Sequence, residues 1–278
     1  MSDHATQARQ PRTYLFVPAN RPERYAKARA AGSDAVIVDL EDAVAPAAKR
    51  SARDALSDAL DEAAPLIVRV NAAGTPWFDD DLELCRHPGV AAVMLPKADG
   101  IDAVCRAFEA AFKDLLPIIE SARGVEEVRA IARVPGVVRV AFGSIDLAVD
   151  LGIDCAPEGG EAELQPYRAQ VVLASRLGGL AAPVDGVSLA IDDAARLRAD
   201  AERSRRLGFG AKLCIHPKQI AVVKGVFSPD PERVAWARRV CAAFEASAGA
   251  AVAVDGEMID VPVVERARAV LRAAGLTG

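Results

Sequence analysis

The feature that most narrows the possible folds is an eight-fold repeat. Short apolar, β-branched runs alternate with longer stretches of helical periodicity along nearly the whole chain. The runs fall at residues 14–17, 35–39, 66–70, 92–95, 116–119, 138–142, 183–185 and 211–215. Strands that are apolar throughout, rather than alternating, are buried on both faces, and strand–helix alternation is how a parallel sheet is built. Eight such units without a long linker predict a closed (β/α)8 TIM barrel, and 278 residues suit that fold. An open doubly wound sheet is expected to carry a glycine-rich phosphate turn after its first strand. The sequence there is Phe16-Val17-Pro18-Ala19-Asn20, which is no such turn.

The intervening helices are predicted near residues 47–60, 101–112, 124–133, 164–177 and 192–207, with the first capped by Asn20, entered through Pro22 and ended by Gly32. Pro183 and Gly210 blur the edges of strands seven and eight. The domain plan is a disordered tail over residues 1–11, a barrel over 12–227 and a C-terminal extension over 228–278. That extension reads as a helix over 228–249, a hairpin of residues 251–254 and 257–259 about Asp255-Gly256, and a last helix from Val261 to about residue 274. It is expected to pack on the barrel or on a neighbouring subunit.

The net charge of −5 argues against a nucleic-acid partner. No apolar run approaches the roughly 20 residues of a membrane span, and the polar N-terminus reads as no signal peptide. Five scattered cysteines (85, 105, 155, 214 and 241) form no CxxC pair, which fits reduced thiols in a cytoplasmic protein. Histidines at 4, 87 and 216 lie too far apart in sequence for a His-rich metal site.

In this fold function sits on residues leaving the C-terminal ends of the strands, and almost every strand here ends in a charged or small residue. Glu120 and Asp146 follow neighbouring strands, so both carboxylates reach one point above the barrel. Crowded there they repel, and a hard divalent ion such as Mg²⁺ removes that cost. The plainer reading is that Asp146 caps a helix over 147–151 and Glu120 pairs with Arg123. Arg69 sits inside the apolar run Leu66-Ile67-Val68-Arg69-Val70, and a guanidinium buried there needs an anion. A ligand carboxylate fits, as does a structural ion pair with Asp39, Glu41 or Asp42, and the acids can also orient the arginine for a ligand. Arg21, Arg24 and Lys27, then Lys49, Arg50 and Arg53, form a basic run that reads first as a solvated face. Flanking the mouth, it could also meet the phosphates of a nucleotide-tailed substrate. His216 and Cys214 read as structural.

Taken together the motifs resemble the citrate lyase β-subunit family of CoA-ester lyases, within the wider HpcH/HpaI aldolase/citrate lyase group. They are Arg12-Thr13-Tyr14-Leu15-Phe16-Val17-Pro18, residues 34–44, Arg69-Val70-Asn71, Leu95-Pro96-Lys97, Ile119-Glu120-Ser121-Ala122-Arg123-Gly124, Phe142-Gly143-Ser144-Ile145-Asp146-Leu147, residues 212–217 and residues 254–262. The resemblance implies a TIM barrel assembled as a homotrimer or hexamer, with Mg²⁺ on Glu120 and Asp146. It implies that Arg69 holds the carboxylate of a 2-oxo acid and that Gly143 and Ser144 offer it backbone N–H groups. It also implies that Asp260, from the tail, acts in a neighbouring subunit's site; read from the residues alone, Asp260 is equally a helix N-cap. Arg21, Arg24, Lys27 and Lys49 could meet CoA phosphates, and Asp39, Glu41 and Asp42 would support Arg69. The expected reaction is retro-Claisen cleavage of a carboxylated 3-hydroxyacyl-CoA, such as citryl-, malyl- or citramalyl-CoA, into an acyl-CoA and a 2-oxo acid. Two alternatives stand beside it: a pyruvate-type aldolase that does not use CoA, and a carrier-protein lyase subunit active only within a complex.

Overall fold

A computed structural model describes residues 10–155, 161–247 and 249–276. Most of the tail expected over 1–11, His4 included, lies outside the described residues. The chain divides into two compact units, Pro11–Lys224 and the residues from Gly225 on.

The first unit is a closed parallel barrel in sequential order, β8 pairing back onto β1. Its strands are β1 (Thr13–Pro18), β2 (Ala35–Asp39), β3 (Leu66–Arg69), β4 (Val90–Leu95), β5 (Asp114–Ile119), β6 (Ala141–Phe142), β7 (Val184–Asp185) and β8 (Ala211–Cys214). Its helices are α1 (Tyr25–Ala30), α2 (Lys49–Ala59), α3 (Phe78–Leu84), α4 (Ile101–Ala111), α5 (Ala122–Ile131), α6 (Ser144–Leu151), α7 (Gln165–Leu177) and α8 (Ala194–Leu207), followed by α9 (Ile220–Phe227), which runs across the boundary. The strand period of two sends Tyr14, Ile37, Ile67, Met94, Leu116, Ile118, Ala141, Val184, Ala211 and Leu213 into one central cluster. The residues between them, such as Val36, Val38, Val68, Val93 and Leu115, are equally buried, because the other face of the sheet is covered by helices. Each such side chain contributes about 1.5–3 kcal/mol, and truncating Ile37 to alanine is expected to cost about 2–5 kcal/mol. The helices bury one stripe each: Lys49, Ala52 and Leu56 on α2, and Val104, Ala107 and Ala111 on α4, spaced three to four residues apart.

Local expectations are corrected in three places. Asn20 caps nothing: the chain enters α1 through a 3₁₀ turn at Pro22–Arg24 whose N-cap position is Arg21. The strand expected over 138–142 is regular only at Ala141–Phe142, although Val138 N–H still reaches Leu115 O and Val140 O still accepts from Val184 N–H. Helix α3, unanticipated, has the sequence FDDDLEL; three aspartates in its first turn suit the positive end of the helix dipole but hide the apolar period.

The second unit contains α10 (Pro231–Ala246), the hairpin β9 (Val252–Val254) and β10 (Glu257–Ile259), and α11 (Val261–Ala273). Asp255 and Gly256 both have positive φ (54° and 84°), as the expected type I′ turn requires. Ala237, Val240, Cys241, Ile259, Val264, Ala267 and Leu271 give this unit a small core of its own.

Candidate active site

Two residues beyond the last core position of a strand, the same face of the strand emerges at the barrel mouth. Thus Ile37 is followed by Asp39, Ile67 by Arg69, Ile118 by Glu120, Leu213 by Ile215, and Tyr14 by Phe16. All five of these successors line one cavity of about 420 Å³, together with Asp42, Val187 and the turn Gly143-Ser144-Ile145-Asp146 that opens α6.

Glu120 is only 5% exposed. Its Oε1 accepts the Lys97 backbone N–H at 2.7 Å, and Oε2 has no hydrogen-bond donor among the described residues. A Cβ on residue 143 would lie 2.5 Å from both Glu120 Cβ and Oε2, so only glycine lets the carboxylate sit there. Burial, then the charges of Glu41 and Asp146, push the Glu120 carboxyl up to about 7, against the opposing hydrogen bond from Lys97. Asp146 is half-buried at the third position of α6 and caps nothing; the N-cap is Gly143, which has no side chain to offer. Arg123 is exposed and forms no ion pair with Glu120 among the described residues. Both plainer readings of these acids are therefore set aside. Among the described residues no group of three or more His, Cys, Asp or Glu side chains is placed to hold a metal ion by itself. Two carboxylates sharing an electronegative cavity match the donor set of Mg²⁺, which fills its remaining positions with water and substrate oxygens.

Arg69 and Asp39 are cross-strand partners. Asp39 receives Arg69 Nε at 2.8 Å and Nη2 at 2.7 Å, and also accepts the N–H groups of Glu41 and Ala43. The guanidinium plane is thereby fixed, with the Phe16 ring 4.9 Å away. Nη1 faces Glu41 at 3.0 Å and Asp42 at 3.5 Å, and Asp42 is 60% exposed. The ion pair weighed from sequence is present, and it leaves one guanidinium edge toward the cavity with a partner that can swing away.

Other expectations are modified. Gly143 N–H is taken by Ile119 O in the ladder, so only the N–H groups of Ser144 and the residues after it remain for a ligand, as at any helix start. Arg21, Arg24 and Lys27 are exposed, but Lys49 does not belong with them: it is buried, with Nζ on the carbonyls of Leu40 (2.7 Å) and Glu41 (2.6 Å). Burial lowers its pKa. Arg53 is likewise engaged, by Asp80 and Asp81. Asp260 is the exposed N-cap of α11, accepting from Val263 N–H at 3.3 Å. His216 caps the turn at Pro217–Gln219, and Cys214 is buried, as expected.

Two groups carry roles that were not assigned from the sequence. Lys97, in the left-handed region at φ 48°, gives its N–H to Glu120 and its ammonium to Glu41 at 2.6 Å, tying the metal-type acid to the arginine clamp. Behind the sheet, Asp185 pairs with Arg168 from α7 at 2.8 Å and Lys212 at 3.7 Å, all three buried. Asp185 directly follows the core residue Val184, so it faces the helices rather than the mouth.

A sequence model of the HpcH/HpaI aldolase/citrate lyase family matches residues 12–217. The citrate lyase subunit beta-like protein of Mycobacterium tuberculosis is 40% identical over 266 residues, 94% of this chain and 95% of that protein. The L-malyl-CoA/beta-methylmalyl-CoA lyase of Cereibacter sphaeroides is 34% identical over 304 residues, 96% of this chain and 95% of that protein. Among solved structures, the protein CitE from Mycobacterium tuberculosis in complex with magnesium, acetoacetate and coenzyme A matches with a TM-score of 0.86 at 40% identity. That match covers 96% of this chain and 100% of that one.

Proposed function

Because the chain belongs to the HpcH/HpaI aldolase/citrate lyase family, we propose that it is a Mg²⁺-dependent carbon–carbon lyase of carboxylated 3-hydroxyacyl-CoA esters. In this reading it releases an acyl-CoA and a 2-oxo acid, or runs the condensation in reverse. The observation that carries the reading is the joining of Glu120, Asp146 and Arg69 in one cavity. The relatives that bind CoA, or are named for CoA esters, support the choice of CoA over a free aldehyde.

Charge decides what the cavity can accept. Asp39, Asp42, Glu120 and Asp146 line it against a single cation, Arg69, so an anionic substrate is repelled until a cation joins. Glu120 and Asp146 would hold Mg²⁺, which when bound acts as a Lewis acid on the hydroxyl whose carbon becomes the 2-oxo carbonyl. Asp39 holds the Arg69 fork, and the substrate carboxylate takes the place of Asp42 at Nη1. This fixes the angle of the breaking bond. The free N–H groups at the start of α6 add donors to the same anion. As the hydroxyl carbon becomes a carbonyl its O–H proton leaves to solvent, and the thioester enolate released must gain one at carbon. Asp260 from a neighbouring subunit is assigned that role, in a homotrimer or hexamer, and exposed Arg21, Arg24 and Lys27 are assigned to the CoA phosphates. The setting is taken to be the cytoplasm, in keeping with five unpaired cysteines and with no described helix long and apolar enough to cross a membrane.

The test is calorimetry and turnover with malyl-, citramalyl- and citryl-CoA and with pyruvate, glyoxylate and oxaloacetate, with and without Mg²⁺. Mg²⁺-dependent oxo-acid release from at least one ester is expected. No Mg²⁺-dependent binding or cleavage in any of these would overturn the reading.

A further inference from the structure

Ser144, 2% exposed, opens α6 and lines the cavity, yet its hydroxyl proton is already committed. It donates its only proton to Glu161 Oε1 at 3.1 Å. Glu161 in turn is held from the other side by Arg168, a wholly buried guanidinium on α7 that donates through Nη2 to Glu161 Oε2 and through Nη1 to the Glu161 carbonyl at 3.4 Å. Arg168 is itself set by Asp185 and lies 4.8 Å from the centroid of the ring of Phe142, which also lines the cavity. Glu161 adopts φ 58°, left-handed backbone that costs a non-glycine residue about 1–2 kcal/mol. That cost is borne where one carboxylate links the cavity wall to a buried cation.

From this chain of contacts we infer that Glu161 is a positioning residue of the active site, locking Ser144 and the first turn of α6 through Arg168. Two consequences follow from the hydrogen-bond directions. The Ser144 oxygen presents only lone pairs to anything else, so it suits a donor group, such as a hydroxyl or a bound water, and rejects a carboxylate oxygen. The uncapped N–H groups of Ser144 and the residues after it are thereby left as the anion donors, and Asp146, two residues on, is fixed by the same turn. No side-chain cap at Gly143 steadies this helix start, so the Glu161 contact takes its place.

The inference rests on the lyase reading for its ligand, so the test has one arm with a ligand and one without. In the first, pyruvate binding in saturating Mg²⁺ is measured for wild type, Glu161→Ala, Ser144→Ala and the double variant. Glu161→Ala and Ser144→Ala should each weaken binding roughly ten-fold, and the double variant should be little worse than either. Glu161→Gln, which keeps an oxygen for Ser144 but turns an NH2 toward Arg168, should restore part of the affinity. Losses that multiply in the double variant, or unchanged affinity in Glu161→Ala, would overturn the inference, whereas a wild type that binds no pyruvate indicts the lyase reading instead. In the second arm, amide hydrogen exchange is followed on the ligand-free proteins. Peptides spanning Ser144–Leu151 should exchange at least about five-fold faster in Glu161→Ala but not in Glu161→Gln, with α2 and α4 unchanged. Unaltered exchange in α6 would overturn the inference whatever the ligand result, and so would a general acceleration that Glu161→Gln shares.

Discussion

A buried carboxyl whose pKa is raised must make the metal-free protein less stable as pH rises. The sign follows from linkage: folded Glu120 titrates near 7 and an unfolded glutamate near 4.5, so between these values the native state holds more protons. Stability that is complete below pH 4.5 is then lost up to pH 7 and beyond. The difference of about 2.5 units corresponds to about 3 kcal/mol between pH 4.5 and 8. Glu120→Gln keeps the shape of the protonated acid and removes the titration. In a chelator-treated sample, urea unfolding at several pH values should show the variant gaining about 3 kcal/mol relative to wild type from pH 4.5 to 8. In a thermal melt that is roughly 6–12 °C for a protein of this size. Mg²⁺ should then stabilise wild type at pH 8 and leave Glu120→Gln where it is. Parallel stability profiles for the two proteins, or an equal response to Mg²⁺, would refute both the burial argument and the metal assignment.

Three further outcomes are expected. Arg69→Lys keeps the charge but loses the two-pronged bond to Asp39; oxo-acid affinity should fall about ten-fold with a stability loss of about 1–2 kcal/mol, and a large drop in melting temperature with affinity intact would make the arginine purely structural. Asp185→Asn leaves buried Lys212 with only the Gly186 carbonyl and Arg168 with only Glu161, and should cost about 3–5 kcal/mol by urea unfolding. Burial alone would raise the Asp185 pKa, but Lys212 and Arg168 bring it down to about 2, so wild type should shed about 2 kcal/mol between pH 3.8 and 2 that the variant never had; equal acid sensitivity would count against this. Asp260→Asn still caps α11 but delivers no proton, so turnover should fall roughly 100-fold at unchanged melting temperature. Mixing Asp260→Asn with Asp146→Ala chains should restore some activity if neighbours share sites, and none despite proven exchange would confine the tail to its own subunit.

What could be read from the sequence was whatever strand periodicity enforces. In Ile37-Val38-Asp39, Ile67-Val68-Arg69 and Ile118-Ile119-Glu120, an apolar residue two positions earlier guarantees that the charge emerges at the mouth, so these acids and the arginine are legible in the sequence. The same rule, applied strictly, would have sent Asp185 behind the sheet, since it directly follows Val184. Lys97 was named at a strand end, but nothing in Leu95-Pro96-Lys97 announces a left-handed residue whose backbone and side chain serve two different acids. Arg168 was hidden for another reason. In the helix QPYRAQVVLASRL an arginine reads as part of the solvated face, and its burial depends on Asp185 and Glu161, which lie 17 and 7 residues away and converge only in the folded chain. Residues that touch a ligand sit at positions fixed by local period, whereas residues that hold them are chosen by tertiary pairing. The sequence therefore exposes the first group and conceals the second, and Glu161 and Arg168 belong to the second.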